Sequence, residues 1–179
     1  MPTAVGGRFA DGTAVAADRR ETRGGQVVSE RTRRIHSFDE IVIASAAPAG
    51  DLRELSDRFD EKRRRYAHDH GRAPTVDAAE RLASDLAAQI GVSALLLARD
   101  RAGKAQLVRI DDTGGSTREP MTAIGSGAAV AIGLLEALDR DIPLEDAEHA
   151  LGDLLNTVAG RDTETGDTVD IGILSDRIE

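Results

Sequence analysis

Thr3-Ala4-Val5-Gly6-Gly7-Arg8-Phe9, then Ala10-Asp11-Gly12, then Thr13-Ala14-Val15-Ala16-Ala17-Asp18, reads as two short strands joined by a turn. Asp-Gly supplies the positive φ of a tight turn, and the small and β-branched residues on either side suit a closely packed strand pair. Moving outward, Arg23-Gly24-Gly25 breaks the chain, and residues 26–29 and 34–38 form two shorter extended pieces. Residues 41–46 are continuous, apolar and β-branched, the pattern of a buried strand. A helix is predicted over 51–70, with Leu52, Leu55, Phe59 and Tyr66 largely on one face, and a second opens at Pro74-Thr75-Val76-Asp77 and stops at Gly91. Residues 93–98 and 105–110 flank Asp100-Arg101-Ala102-Gly103 as a hairpin, and 118–124 reads as one short strand weakened by Pro120. A helix over 126–138 is apolar nearly all round and is therefore predicted to be buried. Pro143 opens an amphipathic helix that carries Leu144, Ala147, Leu151, Leu154, Leu155 and Val158, and 168–174 closes the chain as a strand. Clustered strands and clustered helices, without strict βαβ alternation, predict α+β layers.

The length of 179 residues predicts a single domain over 1–179. The absence of cysteine excludes disulfide frameworks, thiol catalysis and zinc-thiolate sites, and fits a reducing compartment. A net charge of −9, from 23 basic and 32 acidic residues, repels phosphate backbones. The aromatic side chains are Phe9, Phe38, Phe59 and Tyr66, so platforms for stacking bases are missing as well, and no nucleic-acid partner is expected. No run approaches the roughly 20 apolar residues of a membrane span, and the first residues lack the apolar core of a signal peptide, which predicts a cytoplasmic protein. Lysine is confined to Lys62 and Lys104 against many arginines, and Asp outnumbers Glu. Two readings stand side by side: a halophilic-type composition suited to concentrated salt, or the codon bias of a GC-rich genome. His68 and His70 lie two apart on a helix and do not share a face, so they read as surface residues rather than metal ligands. No metal and no cofactor is implied.

Several short motifs follow one another in order. They are Val5-Gly6 with Asp11-Gly12; Asp18-Arg19-Arg20; Ser29 through Arg33-Arg34-Ile35-His36; and Ile110-Asp111-Asp112-Thr113-Gly114-Gly115. Ala123-Ile124-Gly125-Ser126-Gly127, Gly133-Leu134-Leu135-Glu136, and Arg161-Asp162-Thr163-Glu164-Thr165-Gly166-Asp167 leading into Val169-Asp170-Ile171 complete the set. Each alone is a weak signal. Their order and spacing over nearly the whole chain resemble a proteasome subunit of the N-terminal-nucleophile hydrolase fold. The resemblance implies a four-layer αββα sandwich, two antiparallel sheets between helix pairs. With no helix predicted ahead of the first strand, the likeness is to a processed β-type subunit or to a simpler stand-alone relative. It further implies a homo-oligomer, in a ring or double ring, built from other copies of the chain or from proteasome-like subunits. Unfolded polypeptide would be the substrate if the protein is active, and an ATPase would be the regulator.

In β-type members the hydroxyl of an N-terminal threonine attacks the peptide carbonyl. Its own α-amine, with an ordinary pKa of about 8, takes the proton. Carried over residue by residue, the resemblance puts Asp18 at the first acidic position and Arg34 where the family has lysine. Arg34 can attract and orient, but it keeps its proton. Ser126 matches the family serine, Asp162 the second aspartate, and Thr165 stands in for a serine. Read without the family, Asp18 is a strand-end residue paired with Arg19 or Arg34, Ser126 a helix N-cap, and Asp162 a turn cap. Counting back from Val5-Gly6, the nucleophile position falls on Pro2 and the next on Thr3. Cleavage before Thr3 would make Thr3 the nucleophile of a threonine endopeptidase. Around Ala47, the segment Ala44-Ser45-Ala46-Ala47-Pro48 replaces the glycine-containing segment that lines the family's oxyanion hole, and Pro48 removes one backbone donor. The other reading is a catalytically inactive ring, scaffold or binding subunit that lacks the N-terminal nucleophile. A further idea from the residues alone is that loss of Met1 would expose the secondary amine of Pro2 as a base beside Arg34 and Asp18.

Overall fold

Strand β1 (Thr3–Phe9) turns at Ala10-Asp11 into β2 (Gly12–Asp18), and the two pair antiparallel with Ala4 opposite Ala17 and Phe9 opposite Gly12. Neither Asp11 nor Gly12 takes the positive φ that the Asp-Gly pair suggests; Gly12 serves close approach instead, since a Cβ there would lie 2.8 Å from Ser175 Cα. The computed structural model describes residues 1–177. After this hairpin come β3 (Glu21–Arg23), β4 (Gln26–Ser29), β5 (Ile35–Phe38), β6 (Ile41–Ser45), α1 (Ala49–His70) and α2 (Val76–Ile90). Then follow β7 (Ala94–Arg99), β8 (Ala105–Ile110), β9 (Ser116–Arg118), β10 (Met121–Gly125), α3 (Ala128–Glu136), α4 (Leu144–Ala159) and β11 (Val169–Ser175). One antiparallel sheet has the order β10-β1-β2-β11, a second has β5-β6-β7-β8-β9, and β3-β4 is a separate two-stranded ribbon.

Three apolar layers hold these elements together. Leu52, Leu55 and Phe59 of α1 and Val76 and Leu86 of α2 pack on Ile43, Leu96 and Val108 of the five-stranded sheet. Leu135 of α3 and Leu151, Leu155 and Val158 of α4 pack on Val5, Ala14 and Ala16 of the four-stranded sheet. Between the sheets lie Ala4, Val15 and Ala17 from one side and Val42, Ala44, Leu95 and Leu97 from the other. Alternation along a strand sends successive side chains to opposite faces, so each residue of β1 and β2 faces either the helices or the second sheet. Both faces are covered, and every residue of β2 is buried, which is why small and apolar residues fill the strand between Thr13 and Asp18. The result is the four-layer αββα sandwich that the motifs imply.

Three expectations are corrected. The strand read over 118–124 is two strands in different sheets: β9 closes the five-stranded sheet, and β10 opens the four-stranded one. Pro120 sits between them and supplies a carbonyl to the amide of Arg8 at 2.7 Å. The helix read over 126–138 is shorter and is not buried all round. Only Ala131 and Leu135 are buried, and Ile132 is 43% exposed. Apolar composition alone does not say how many faces of a helix have neighbours. Finally, Glu21–Arg23, where no strand is predicted, pairs with the expected extended piece Gln26–Ser29, and the ribbon leaves Val27 and Val28 exposed.

Candidate functional site

The site lies at the N-terminal end of β1, where it meets the ends of β2 and β10. Asp18, the last residue of β2, is fully buried. Its Oδ1 accepts the amide of Thr3 at 2.7 Å, and its Oδ2 accepts the amides of Arg20 at 2.9 Å and Gly166 at 2.8 Å. This differs from the simple reading of a strand-end aspartate paired to an arginine, because the partners are backbone N–H groups. Burial pushes the Asp18 carboxyl above the ordinary aspartate range, against the pull of those amides and of the Arg34 charge. A carboxyl raised in this way binds its proton more tightly folded than unfolded. Its contribution favours the folded state below the ordinary aspartate pKa and is lost as pH rises through the raised value. In a carboxyl NMR titration Asp18 is expected to titrate above the exposed aspartates; a midpoint at or below theirs would contradict this picture.

A chain of hydroxyls runs from Thr3. The amide of Gly127 donates to Thr3 Oγ1 at 2.8 Å, Thr3 Oγ1 lies 2.8 Å from Thr165 Oγ1, and Thr165 Oγ1 donates to Asp162 Oδ2 at 2.6 Å. Since Thr165 gives its proton to Asp162, Thr3 must give its own to Thr165. Ser126 Oγ also lies 2.6 Å from Asp162 Oδ2. The structure thus brings Thr3, Ser126, Asp162 and Thr165 into one network, with Asp18 holding the Thr3 amide. Gly127, not Ser126, is the N-cap residue of α3, and no side chain caps that helix. Asp162 also accepts the amide of Glu164 at 3.3 Å, so its turn-capping role and its network role coexist.

Arg34 is not part of this network. Its guanidinium, fully buried, donates to the carbonyls of Ala47 at 2.5 Å and Arg20 at 2.8 Å, and to Glu21 Oε2 at 2.5 Å. The side chain of Thr3 is separated from it by strand alternation. Thr3 shares the face of Val5, toward α3 and α4, while Pro2 shares the face of Ala4, toward the second sheet. Thr3 is 0% exposed, and a cleft of about 250 Å³ beside it is lined by Met1, Pro2, Glu21, Ala46, Pro48 and Glu164, not by Thr3. The backbone of the Ala47 segment is also committed. The Ala47 amide donates to Ser45 Oγ at 3.2 Å, Pro48 has no N–H, and the Ala49 amide faces Glu21 Oε1 at 3.3 Å.

Two residues here escape the reading of the sequence. Glu21 has a discoverable signal, since a buried arginine needs a carboxylate and Glu21 is the one acidic residue in Arg19-Arg20-Glu21-Thr22-Arg23. Glu164, which pairs with the Met1 ammonium, has none. Among the described residues there is no cluster of three or more His, Asp or Glu able to hold a metal ion, and no helix long and apolar enough to cross a membrane.

With this geometry in hand, comparison with known proteins adds a family. Residues 2–174 match the sequence model of the family described as "Proteasome subunit". The chain is 30% identical, over 99% of its own length and 93% of the relative's, to proteasome subunit beta 2 of Korarchaeum cryptofilum (strain OPF8). It is 27% identical, over 96% of its length and 89% of the relative's, to proteasome subunit beta 1 of Ignicoccus hospitalis (strain KIN4/I / DSM 18386 / JCM 14125).

Proposed function

Because the chain belongs to the proteasome subunit family, we propose that it acts as a β-type subunit of a proteasome-like assembly without serving as a threonine peptidase. The observation that carries this reading is the direction of Thr3. Its hydroxyl points to the helix side, fully buried and spent on Gly127 and Thr165, while the cleft opens on the other face of the strand. Cleavage before Thr3 would not turn that side chain around, because its amide is anchored on Asp18 and its strand partner is Gly125. Two further features point the same way. A nucleophile here needs a neighbouring group that can adjust its proton and donors aimed at the developing oxyanion. Arg34 is tied to two carbonyls and Glu21, and the Ala47 amide is turned to Ser45 Oγ.

On this reading Asp18, Ser126, Asp162 and Thr165 are positioning residues that fix the start of β1. The partners are other copies of the chain or related subunits, in the cytoplasm. A second reading, a threonine endopeptidase that cleaves unfolded polypeptide through Thr3, draws support from the continuous path Thr3–Thr165–Asp162–Ser126, which resembles a nucleophile's supporting set. Native mass spectrometry and light scattering at high and low salt, combined with fluorogenic peptide turnover, separate the two. The expected result is a multimer with no turnover above buffer. Turnover that Thr3→Ala abolishes would establish the peptidase instead, and a monomer at both salt concentrations would remove the subunit reading.

A further inference from the structure

Four connections meet at the end of the five-stranded sheet opposite Ala47: the β5–β6 turn, the α1–α2 loop, the β7–β8 turn and the segment that follows β11. Between them lies a cavity of about 390 Å³ whose wall includes Glu40, Arg72, Thr75, Arg99, Arg101 and Arg177. Four arginines thus share one recess in a chain of net charge −9. The two carboxylates of the wall do not neutralise them. Asp100 is turned onto its own hairpin: Oδ1 accepts the amides of Ala102 and Lys104, each at 2.9 Å, and Oδ2 accepts Gln106 Nε2 at 3.0 Å. Glu40 Oε1 lies 3.2 Å from Arg99 Nη1 and also pairs with Arg177. Arg72 and Arg101 form no ion pair with a described carboxylate, and Asp77, in the first turn of α2, is taken by Arg118.

Two further features favour an anion here. Arg99 is held in place by its Nε, which donates to the Ser175 carbonyl at 2.8 Å. Its Nη1 is buried without a hydrogen-bond partner, since the Glu40 contact is close but not aligned. No side chain caps α2 at Thr75, so the positive end of a 15-residue helix also borders the cavity. Going beyond the subunit reading, and independent of it, we propose that this recess binds a linear phosphate chain, the pyrophosphate or triphosphate unit. A guanidinium fork pairs two N–H groups with two oxygens of one phosphate, and two or three linked phosphates spread their charge over arginines that one carboxylate cannot serve. Arg72 and Arg101 supply charge that is not already paired, Arg99 a donor fixed in place, and α2 the amides of its first turn. No aromatic ring lines the wall for a base to stack on, so the phosphate chain, not a nucleoside, is the part recognised.

The test is isothermal titration calorimetry on the full-length protein, without phosphate buffer or divalent cations. Sodium pyrophosphate, sodium tripolyphosphate and ATP are the probes, in about 0.1 M sodium chloride, where the Debye length is about 10 Å. The expected result is one tripolyphosphate per chain, with ATP bound no more tightly. Arg72→Gln combined with Arg101→Gln, both at exposed positions, is expected to weaken tripolyphosphate binding by about tenfold or more, the loss of charge-assisted hydrogen bonds. Arg31→Gln combined with Arg33→Gln changes the net charge equally, at exposed positions beyond the other end of β5, and is expected to leave the affinity nearly unchanged because charge at that range is screened. No binding at millimolar pyrophosphate or tripolyphosphate, equal losses in the two double variants, or ATP bound more tightly than tripolyphosphate would each overturn the proposal.

Discussion

Arg34→Met is expected to lower the free energy of unfolding by about 3–5 kcal/mol, the cost of removing one partner from a buried ion pair. The guanidinium is fully buried and bridges three segments: the Arg20 carbonyl beyond β2, Glu21 in β3, and the Ala47 carbonyl ahead of α1. Methionine fills much of the space but leaves two carbonyls and a carboxylate without their donor. Glu21→Gln added to Arg34→Met removes the unpaired charge and is expected to restore part of the loss, so the double-mutant cycle reads a coupling between the two side chains. Urea titration of the four proteins measures it. A loss below about 1 kcal/mol for Arg34→Met would mean that the bridge contributes little and that the ribbon β3–β4 is held by other contacts.

Gly125→Ala is expected to cost about 3 kcal/mol or more, from positive backbone φ and steric conflict together. Gly125 has φ +103°, and a Cβ there would lie 1.9 Å from the Pro2 carbonyl oxygen and 2.8 Å from Thr3 Cα. That contact is backbone against backbone and has no flexible side chain to give way. The damage would fall on the pairing of β10 with β1, the contact that sets where Pro2 and Thr3 point. Gly133→Ala is the control. It lies inside α3 with nothing within 4 Å of the added methyl group, and it should gain about 0.5–1 kcal/mol from helix entropy alone. Thermal or denaturant midpoints moving in opposite directions for the two substitutions would meet this expectation; two neutral substitutions would refute it.

The readable parts of the molecule are those whose cause is local. The chain turns between β1 and β2 where the sequence places a turn, Gly71 and Gly91 end α1 and α2 in the left-handed conformation, and the apolar stripes of α2 and α4 follow helical spacing. The unreadable parts depend on neighbours. Residues 118–124 look like one strand because nothing local says that the chain changes sheets at Pro120. The helix after Gly127 looks buried because composition records what a face is made of and not what covers it. In the site, counting along the chain from Val5-Gly6 puts Pro2 and Thr3 at the start of the first strand. The count is silent on which of the two faces the cleft.

From the sequence came the α+β layering, the hairpin that carries the site, and the family likeness, which in turn implied the grouping of Asp18, Ser126, Asp162 and Thr165. All of these follow from short-range turn chemistry and from the order of motifs. Only the folded chain decided that the Thr3 hydroxyl is sealed under α3 and α4, that Arg34 is bound to Glu21 and two carbonyls, and that the buried Pro2 borders the cleft. The physical reason is the twofold alternation of a strand. One step along β1 reverses a side chain's direction: Thr3 meets Gly127 and Thr165, more than a hundred residues away, while Pro2 borders the cleft lined by Glu21, Ala46 and Pro48.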